Sequence, residues 1–173
     1  MDIRTERLTI RSFKERDWEE LYAYTKDANV MHFIPEDPFS QNQAKEFVIK
    51  NSSKNAHYVA VVLNRTDMLI GHLSFAPCFG DFTYEIGWIF NPSYYNKGFA
   101  TEAALAVLTH AFKCMNVHRI IATCQPENPA SYKIMEKLGM RREGYFKKCI
   151  PYQNDWWDEY YYAILREEYL QRN

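Results

Sequence analysis

The chain has 173 residues, of which 47% are hydrophobic and 25% charged, so it has the composition of a soluble globular protein and enough length to bury a core, and one domain over residues 1–173 is expected. A formal net charge of −1 gives no basic field for nucleic acid and no polybasic run for a membrane surface. The start MDIRTERLTIR is charged and alternating, unlike a signal peptide, and no apolar run approaches the roughly 20 residues that cross a bilayer, so a cytoplasmic location is expected. Thirteen Tyr and eleven Phe predict a ring-lined core and cleft. Cys78, Cys114, Cys124 and Cys149 form no CxxC pair and are read as reduced, small core or cleft residues. The five histidines lack ligand spacing such as HExxH, so neither a structural zinc nor a Cys-His pair is expected.

In chain order, Ile3 to Arg11 alternates Leu8 and Ile10 with polar neighbours and predicts a strand. Asp17 to Lys26 places Trp18, Leu21, Tyr22 and Thr25 at helical spacing. Asn29 to Ser40, with Pro35 and Pro38, reads as irregular, and a helix follows around Gln41 to Lys50. Tyr58 to Leu63 and Leu69 to Ala76 are β-rich runs joined by the turn-like NRTDM. Thr83 to Phe90 is a strand with two faces: Phe82, Tyr84, Ile86, Trp88 and Phe90 toward the core, Thr83, Glu85 and Gly87 toward a cleft. Glu85 is either a solvated strand residue or the carboxylate of a cleft wall. Gly87 on the same face favours the cleft, because strand glycines mark bulges or close backbone approach.

The segment NPSYYNKGFATEAA, Asn91 to Ala104, puts a lone Gly98 just ahead of a helix. It is either a tight strand-to-helix turn or a backbone shaped to grip phosphate at a helix N-terminus. Ala100, Ala104, Val107, Leu108, Ala111, Phe112 and Met115 form the helix's apolar stripe. His118 to Cys124 is a short buried strand. The next helix is punctuated by Asn128 as N-cap, Pro129 at its first position and Gly139 as its stop. Arg141 to Lys148 and Trp156 to Leu165 complete the sheet. A strand–helix–strand–helix second half implies a parallel strand pair attached to an antiparallel first half.

A strand bearing Glu85, a glycine turn, a buried helix, a second strand and an Asn-capped helix together resemble the GNAT superfamily of acyl-CoA-dependent N-acyltransferases. TERLTIR, YEIGWIFNPSYYNKGFATEA and NPASYKIMEKLGMRREGYFKK resemble its RimJ/RimL branch, the ribosomal-protein alanine N-acetyltransferases, from about Thr5 to the terminal REEYL. The resemblance implies a mixed α/β (α+β) fold: a twisted, mostly antiparallel sheet with a splayed parallel pair and helices on both faces. It implies acetyl-CoA as co-substrate. The CoA-binding residues would be Trp88, Ile89 and Phe90 on the splayed strand, Tyr95, Asn96, Lys97, Gly98, Phe99, Ala100 and Thr101 at the turn, and Asn128 and Ser131 on the later helix. Tyr95 departs from the superfamily's Gln or Arg but suits this branch. Amides from Asn96 through Thr101 would cup the pyrophosphate, aided by the helix dipole. Lys97 is either a phosphate contact or a solvated turn residue, and Asn128 either touches the pantetheine arm or serves as a helix cap alone.

Acetyl transfer needs a neutral amine, a held carbonyl oxygen and a leaving thiolate. Amides freed at the splay would hold the oxygen, and Glu85 would take the amine proton directly or through water. Many superfamily members protonate the thiolate with a Tyr, but Met135 stands at that position. Ser131 matches the serine of the RimJ/RimL branch, and it reads equally well as a first-turn helix residue. Tyr132 more readily packs. The implied activity is direct, metal-free acetyl transfer to a primary amine, above all a protein N-terminal α-amino group such as a ribosomal protein's. A polyamine or amine antibiotic is an alternative acceptor, and a non-catalytic acyl-CoA-binding module is the non-enzyme alternative. Met31 to Phe39 and Ile150 to Asp158 are expected to shape the acceptor pocket. A monomer or homodimer is expected, with the aromatic tail WWDEYYY offering a dimer surface.

Overall fold

In a computed structural model, which describes residues 1–152 and 154–172, one sheet organises the chain. Its strands are β1 (Ile3–Arg4), β2 (Leu8–Arg11), β3 (Tyr58–Leu63), β4 (Leu69–Pro77), β5 (Thr83–Phe90), β6 (Arg119–Cys124), β7 (Arg141–Tyr152) and β8 (Asp155–Leu165). They lie in the order β1-β2-β3-β4-β5-β6-β8-β7. Every neighbouring pair is antiparallel except β5 and β6, which run parallel across the connecting helix α4 (Phe99–Cys114).

Helices cover both faces. On one side, α4, α5 (Pro129–Lys137) and α6 (Arg166–Arg172) bury Val107, Leu108, Phe112, Met135 and Tyr169 against Ile10, Val61, Ile86 and Ile120. On the other, α1 (Trp18–Thr25) and α3 (Gln41–Lys50) bury Leu21, Tyr24, Ala44 and Val48 against Ala60, Val62 and Leu69. The period-2 alternation of the strands feeds these two layers separately. The second layer is anchored by a bidentate, buried ion pair in which Arg11 Nη1 and Nη2 donate to Asp17 at 2.7 and 3.0 Å. Local punctuation sets the helix ends. Ser40 and Gln43 form a capping box at α3, Asn128 caps α5 by accepting from Ser131 N, and Gly139 (φ +79°) ends it.

Several expectations are corrected. Ile3 to Arg11 is a two-strand hairpin instead of one strand: Thr5 N donates to Leu8 O at 2.8 Å, and an alternating pattern passes through such a turn unbroken. A short helix, α2 (Ala28–Met31), interrupts the irregular segment, capped by Asp27, which accepts from Asn29 N. Phe82 is exposed and lies outside the core face of β5, because its φ of +65° places it in the preceding turn. Met115 is exposed at the end of α4 instead of joining its stripe. Cys114 and Cys149 are exposed as well, the latter on the outer strand of the sheet. β7 and β8 extend past the expected strands into a long aromatic ribbon.

Candidate active site

The parallel pairing of β5 with β6 covers Thr83↔Arg119, Tyr84↔Ile120 and Glu85↔Ile121 only. Beyond it, β5 stays bonded to β4 as far as Phe90, and β6 to β8 as far as Cys124. Ile86–Phe90 and Ala122–Cys124 therefore part with no ladder between them among the described residues. This opened edge carries the backbone of Trp88, Ile89 and Phe90. Gly87 has a different reason from the one its sequence suggested. The β4–β5 register is unbroken there, and an added Cβ would lie 2.6 Å from Ser74 Oγ on β4.

The turn before α4 takes up a left-handed pattern, with φ of +59° at Asn96 and +79° at Gly98. Alternating left-handed residues turn successive N–H groups into one concavity, which suits an anion. No acceptor within the protein is found for the amides from Asn96 to Thr101 among the described residues, as the open first turn of a helix requires. Phe99, Ala100 and Thr101 are that first turn. The pyrophosphate of a CoA thioester matches this donor set. A brace that sequence reasoning missed holds the turn from behind: Arg7 donates to Lys97 O at 3.0 Å and through Nε to Glu102 at 2.6 Å. The Arg7 guanidinium also lies 4.5 Å over the Phe99 ring. Thr5 Oγ1 donates to the same carboxylate at 2.6 Å, and these bonds outweigh burial and hold the Glu102 carboxyl below its usual range. The TER of the quoted TERLTIR motif was the only signal. Lys97 Nζ is occupied locally, donating to Ser93 O at 2.8 Å. Tyr95 is half exposed, and burial, then the charge of Asp27, pushes its hydroxyl pKa up.

The candidate catalytic groups gather at the end of β6. Glu85 is half-buried and accepts a hydrogen bond from Thr123 Oγ1 at 3.2 Å. Thr123 also hydrogen-bonds the Glu159 carboxyl on β8, whose pKa is pushed up by burial first and by the charge of Glu85, against that bond. The buried Cys124 follows Thr123, its thiol pushed up to about 11 chiefly by burial and bonded to the Ser131 side chain. Asn128 accepts from Ser131 N at 3.2 Å. Met135 is buried in the core, and the Tyr132 ring packs edge-on against Tyr160 at 5.9 Å. Thr123 and Glu159 carried no motif and were not singled out from sequence.

A cleft of about 440 Å³ is lined by Met31, His32, Glu36 and Asp37 from one segment and Pro151 and Tyr152 from another, so the two stretches expected to shape the acceptor pocket meet. Burial raises the pKa of Tyr58 on β3, and the charges of Glu36, which lines the cleft, and of Glu85 add to the rise. Among the described residues no group of three or more His, Cys, Asp or Glu is arranged to hold a metal, and no helix is long and apolar enough to cross a membrane.

Comparison with known proteins agrees with this geometry. The profile of the Acetyltransferase (GNAT) domain matches residues 7–141. The uncharacterized N-acetyltransferase YnaD of Bacillus subtilis is 60% identical over 98% of this chain and 99% of its own. The crystal structure of a GNAT-family acetyltransferase from Bacillus anthracis superposes with a TM-score of 0.94 at 58% identity, covering 97% of this chain and 100% of that one. Two relatives are each 26% identical: the spermidine N(1)-acetyltransferase of Vibrio cholerae, over 96% of this chain and 97% of its own, and the ribosomal protein uS5-alanine N-acetyltransferase of Escherichia coli, over 95% and 91%. A glycine nest at the head of α4, a parallel pair that splays beyond its first three residues and a matching family profile lead to one assignment: this chain belongs to the GNAT family and is an acetyl-CoA-dependent N-acetyltransferase.

Proposed function

We propose that the protein transfers acetyl directly from acetyl-CoA to a protein N-terminal α-amino group, as a RimJ/RimL-like enzyme of ribosomal-protein type. The observation that carries the transfer geometry is the end of β5–β6 pairing at Glu85, which sets a half-buried carboxylate at the mouth of the splay. Acetyl-CoA supplies the activated acyl group as a thioester. The amides from Asn96 to Thr101 hold its pyrophosphate, the free edge along Trp88, Ile89 and Phe90 carries the arm, and Asn128 borders the arm's far end. An amine entering past Tyr58 meets Glu85, which takes its proton. An α-amino group (pKa about 8) loses that proton more readily than a lysine (about 10.4). Ser131, beside the Cys124 thiol, donates to the departing sulfur.

A second acceptor reading has its own observation. Glu36 and Asp37 line the cleft, and Glu85 and Glu159 have no ion-pair partner among the described residues, an environment that also suits a small cationic amine such as a polyamine. Thiol release from acetyl-CoA, measured with an alanine-initiated peptide, spermidine and an aminoglycoside, separates the readings. The peptide is expected to give the highest kcat/KM, and a clear preference for spermidine would replace the first reading with the second. Glu85→Gln should cut turnover at neutral pH by roughly 10²–10⁴-fold with acetyl-CoA binding intact and partial rescue at high pH. Normal saturated turnover in that variant would remove Glu85 from the chemistry.

A further inference from the structure

Gly98 is held by a closed circuit of hydrogen bonds. The Lys97–Gly98 peptide is trans, so its carbonyl and its N–H point in opposite directions. Arg7 Nη1 donates to Lys97 O at 3.0 Å, which turns the Gly98 N–H away from Arg7. The next peptide is fixed by the same logic. Glu102 N donates to Gly98 O at 3.0 Å, the first bond of α4, so the Phe99 N–H points out of the helix end. Arg7 closes the circuit on the Glu102 side chain. Its Nε and Nη2 converge on Oε2 at 2.6 and 2.5 Å, while Oε1 accepts from Arg7 N at 3.2 Å and Thr5 Oγ1 at 2.6 Å. The hairpin that carries Arg7 is itself clipped by Asn64. Asn64 N donates to Arg7 O and Nδ2 to Thr5 O, both at 3.0 Å, and Oδ1 accepts from Thr9 Oγ1 on β2 at 2.7 Å. The chain of contacts thus starts on the sheet and ends on two consecutive amides at the head of α4.

We propose that Arg7 and Glu102 are positioning residues for acetyl-CoA, holding the Gly98 and Phe99 amides toward its pyrophosphate before it binds; this rests on the reading of the turn as the pyrophosphate cradle. A glycine backbone has wide freedom of its own, and ordering it at the moment of binding subtracts from affinity. The two side chains cancel in charge, so the pair contributes direction instead of field. That gives the effect of Glu102 a sign opposite to simple electrostatics. A carboxylate in the first turn of α4 repels a phosphate, and by charge alone its removal strengthens cofactor binding. As the anchor of Arg7, its removal weakens it.

The test is calorimetry of the whole protein with acetyl-CoA, with thermal melting and the Gly98 amide resonance followed alongside. Arg7→Ala and Glu102→Ala should each weaken acetyl-CoA binding by roughly 10-fold, and the double variant should be no weaker than the weaker single one. Glu102→Gln keeps an acceptor oxygen for Arg7 and should recover part of the loss. Arg7→Lys keeps the charge without the fork and should lose affinity too; these two conservative variants carry the test where an alanine variant fails to fold. In the unliganded protein, the Gly98 N–H signal should be displaced by both alanine substitutions. Tighter acetyl-CoA binding in Glu102→Ala would overturn the proposal and make Arg7 a phosphate ligand that Glu102 restrains. A lower Tm with wild-type affinity and an unmoved Gly98 signal would overturn it in favour of a purely structural pair, and additive losses in the double variant would break the circuit. Weak binding in Gly98→Glu with normal binding in the Arg7 and Glu102 variants removes this inference alone, whereas normal binding in Gly98→Glu removes the cradle beneath it.

Discussion

Replacing Gly98 separates the strain at the turn from its role in cofactor binding, because the structure assigns each a size. At φ +79° an L-residue pays for a left-handed backbone by about 1–2 kcal/mol. A Cβ adds no clash, since its nearest neighbour is Arg7 Nη2 at 3.5 Å, an ordinary contact. Gly98→Ala also loses unfolded-chain entropy worth about 0.4–1 kcal/mol, leaving a net cost of about 1 kcal/mol and a Tm drop of about 2–4 °C for a chain of this size. Gly98→Asn should cost less, since Asn96 already sits at φ +59° in the same turn. Gly98→Glu carries the same strain, but a carboxylate at the head of α4 regains about 0.3–1 kcal/mol from the helix dipole, so the variant folds. Its charge then occupies the amide concavity. At about 4 Å from a phosphate charge the repulsion is about 4 kcal/mol at an effective dielectric of 20, about a thousandfold in affinity. Thermal melting and calorimetry with acetyl-CoA report the two effects independently. A folded Gly98→Glu variant with wild-type acetyl-CoA affinity would refute the cradle, and an unshifted Tm in Gly98→Ala would refute the strain.

Ser131→Ala should lower turnover and leave acetyl-CoA affinity and Tm nearly unchanged, because the cap uses the Ser131 amide while its side chain hydrogen-bonds the Cys124 thiol; lost stability with normal turnover would reduce Ser131 to a helix residue. His72 is fully buried, its Nδ1 2.7 Å from Tyr24 Oη, and burial lowers its pKa to about 3. The unfolded chain, near 6.5, therefore binds a proton that the fold refuses. This contribution to stability is complete above about pH 6.5 and is lost toward about pH 3, by up to about 1.4 kcal/mol per pH unit. Urea unfolding at pH 7 and 4.5 should show that slope in the native chain and a smaller one in His72→Gln.

The elements read most closely from sequence are those with chemical punctuation at their ends. Ser40 before α3, and Asn128, Pro129 and Gly139 around α5, fix boundaries that need no tertiary information. The hairpin at Thr5 escaped because a turn of polar residues does not interrupt a period of two. Phe82 escaped because a single positive φ shifts the phase of the strand behind it. At the candidate site, the glycine turn, Glu85 and Ser131 were legible as motifs. The Arg7–Glu102 brace spans 95 residues and the Thr123–Glu85 bond 38, and such contacts exist only once the sheet register is set. Thr123 and Glu159 are ordinary strand residues until β6 is laid between β5 and β8.

On the proposed assignment, the splay also accounts for transfer that runs directly from thioester to amine. On β5, Tyr84, Ile86, Trp88 and Phe90 belong to the layer of α4 and α5, whereas Ile89, with Glu85 in the same phase, points to the layer of α1 and α3. The nest lies at the head of α4, and the acidic cleft lies between α2 with its following segment and the β7–β8 ribbon. In a sheet laddered throughout, backbone hydrogen bonds would stand between the two. Parting β5 from β6 leaves a gap in the sheet plane, through which, on the proposed reading, a thioester held on one face meets an amine arriving from the other. The unpaired backbone groups of that gap cost stability, and the strands remain in place because β4 holds β5 and β8 holds β6 up to their ends. On the proposed assignment, those same groups become the donors for the thioester carbonyl. The defect in the ladder is thus the element that both opens the path and stabilises the charge that develops along it.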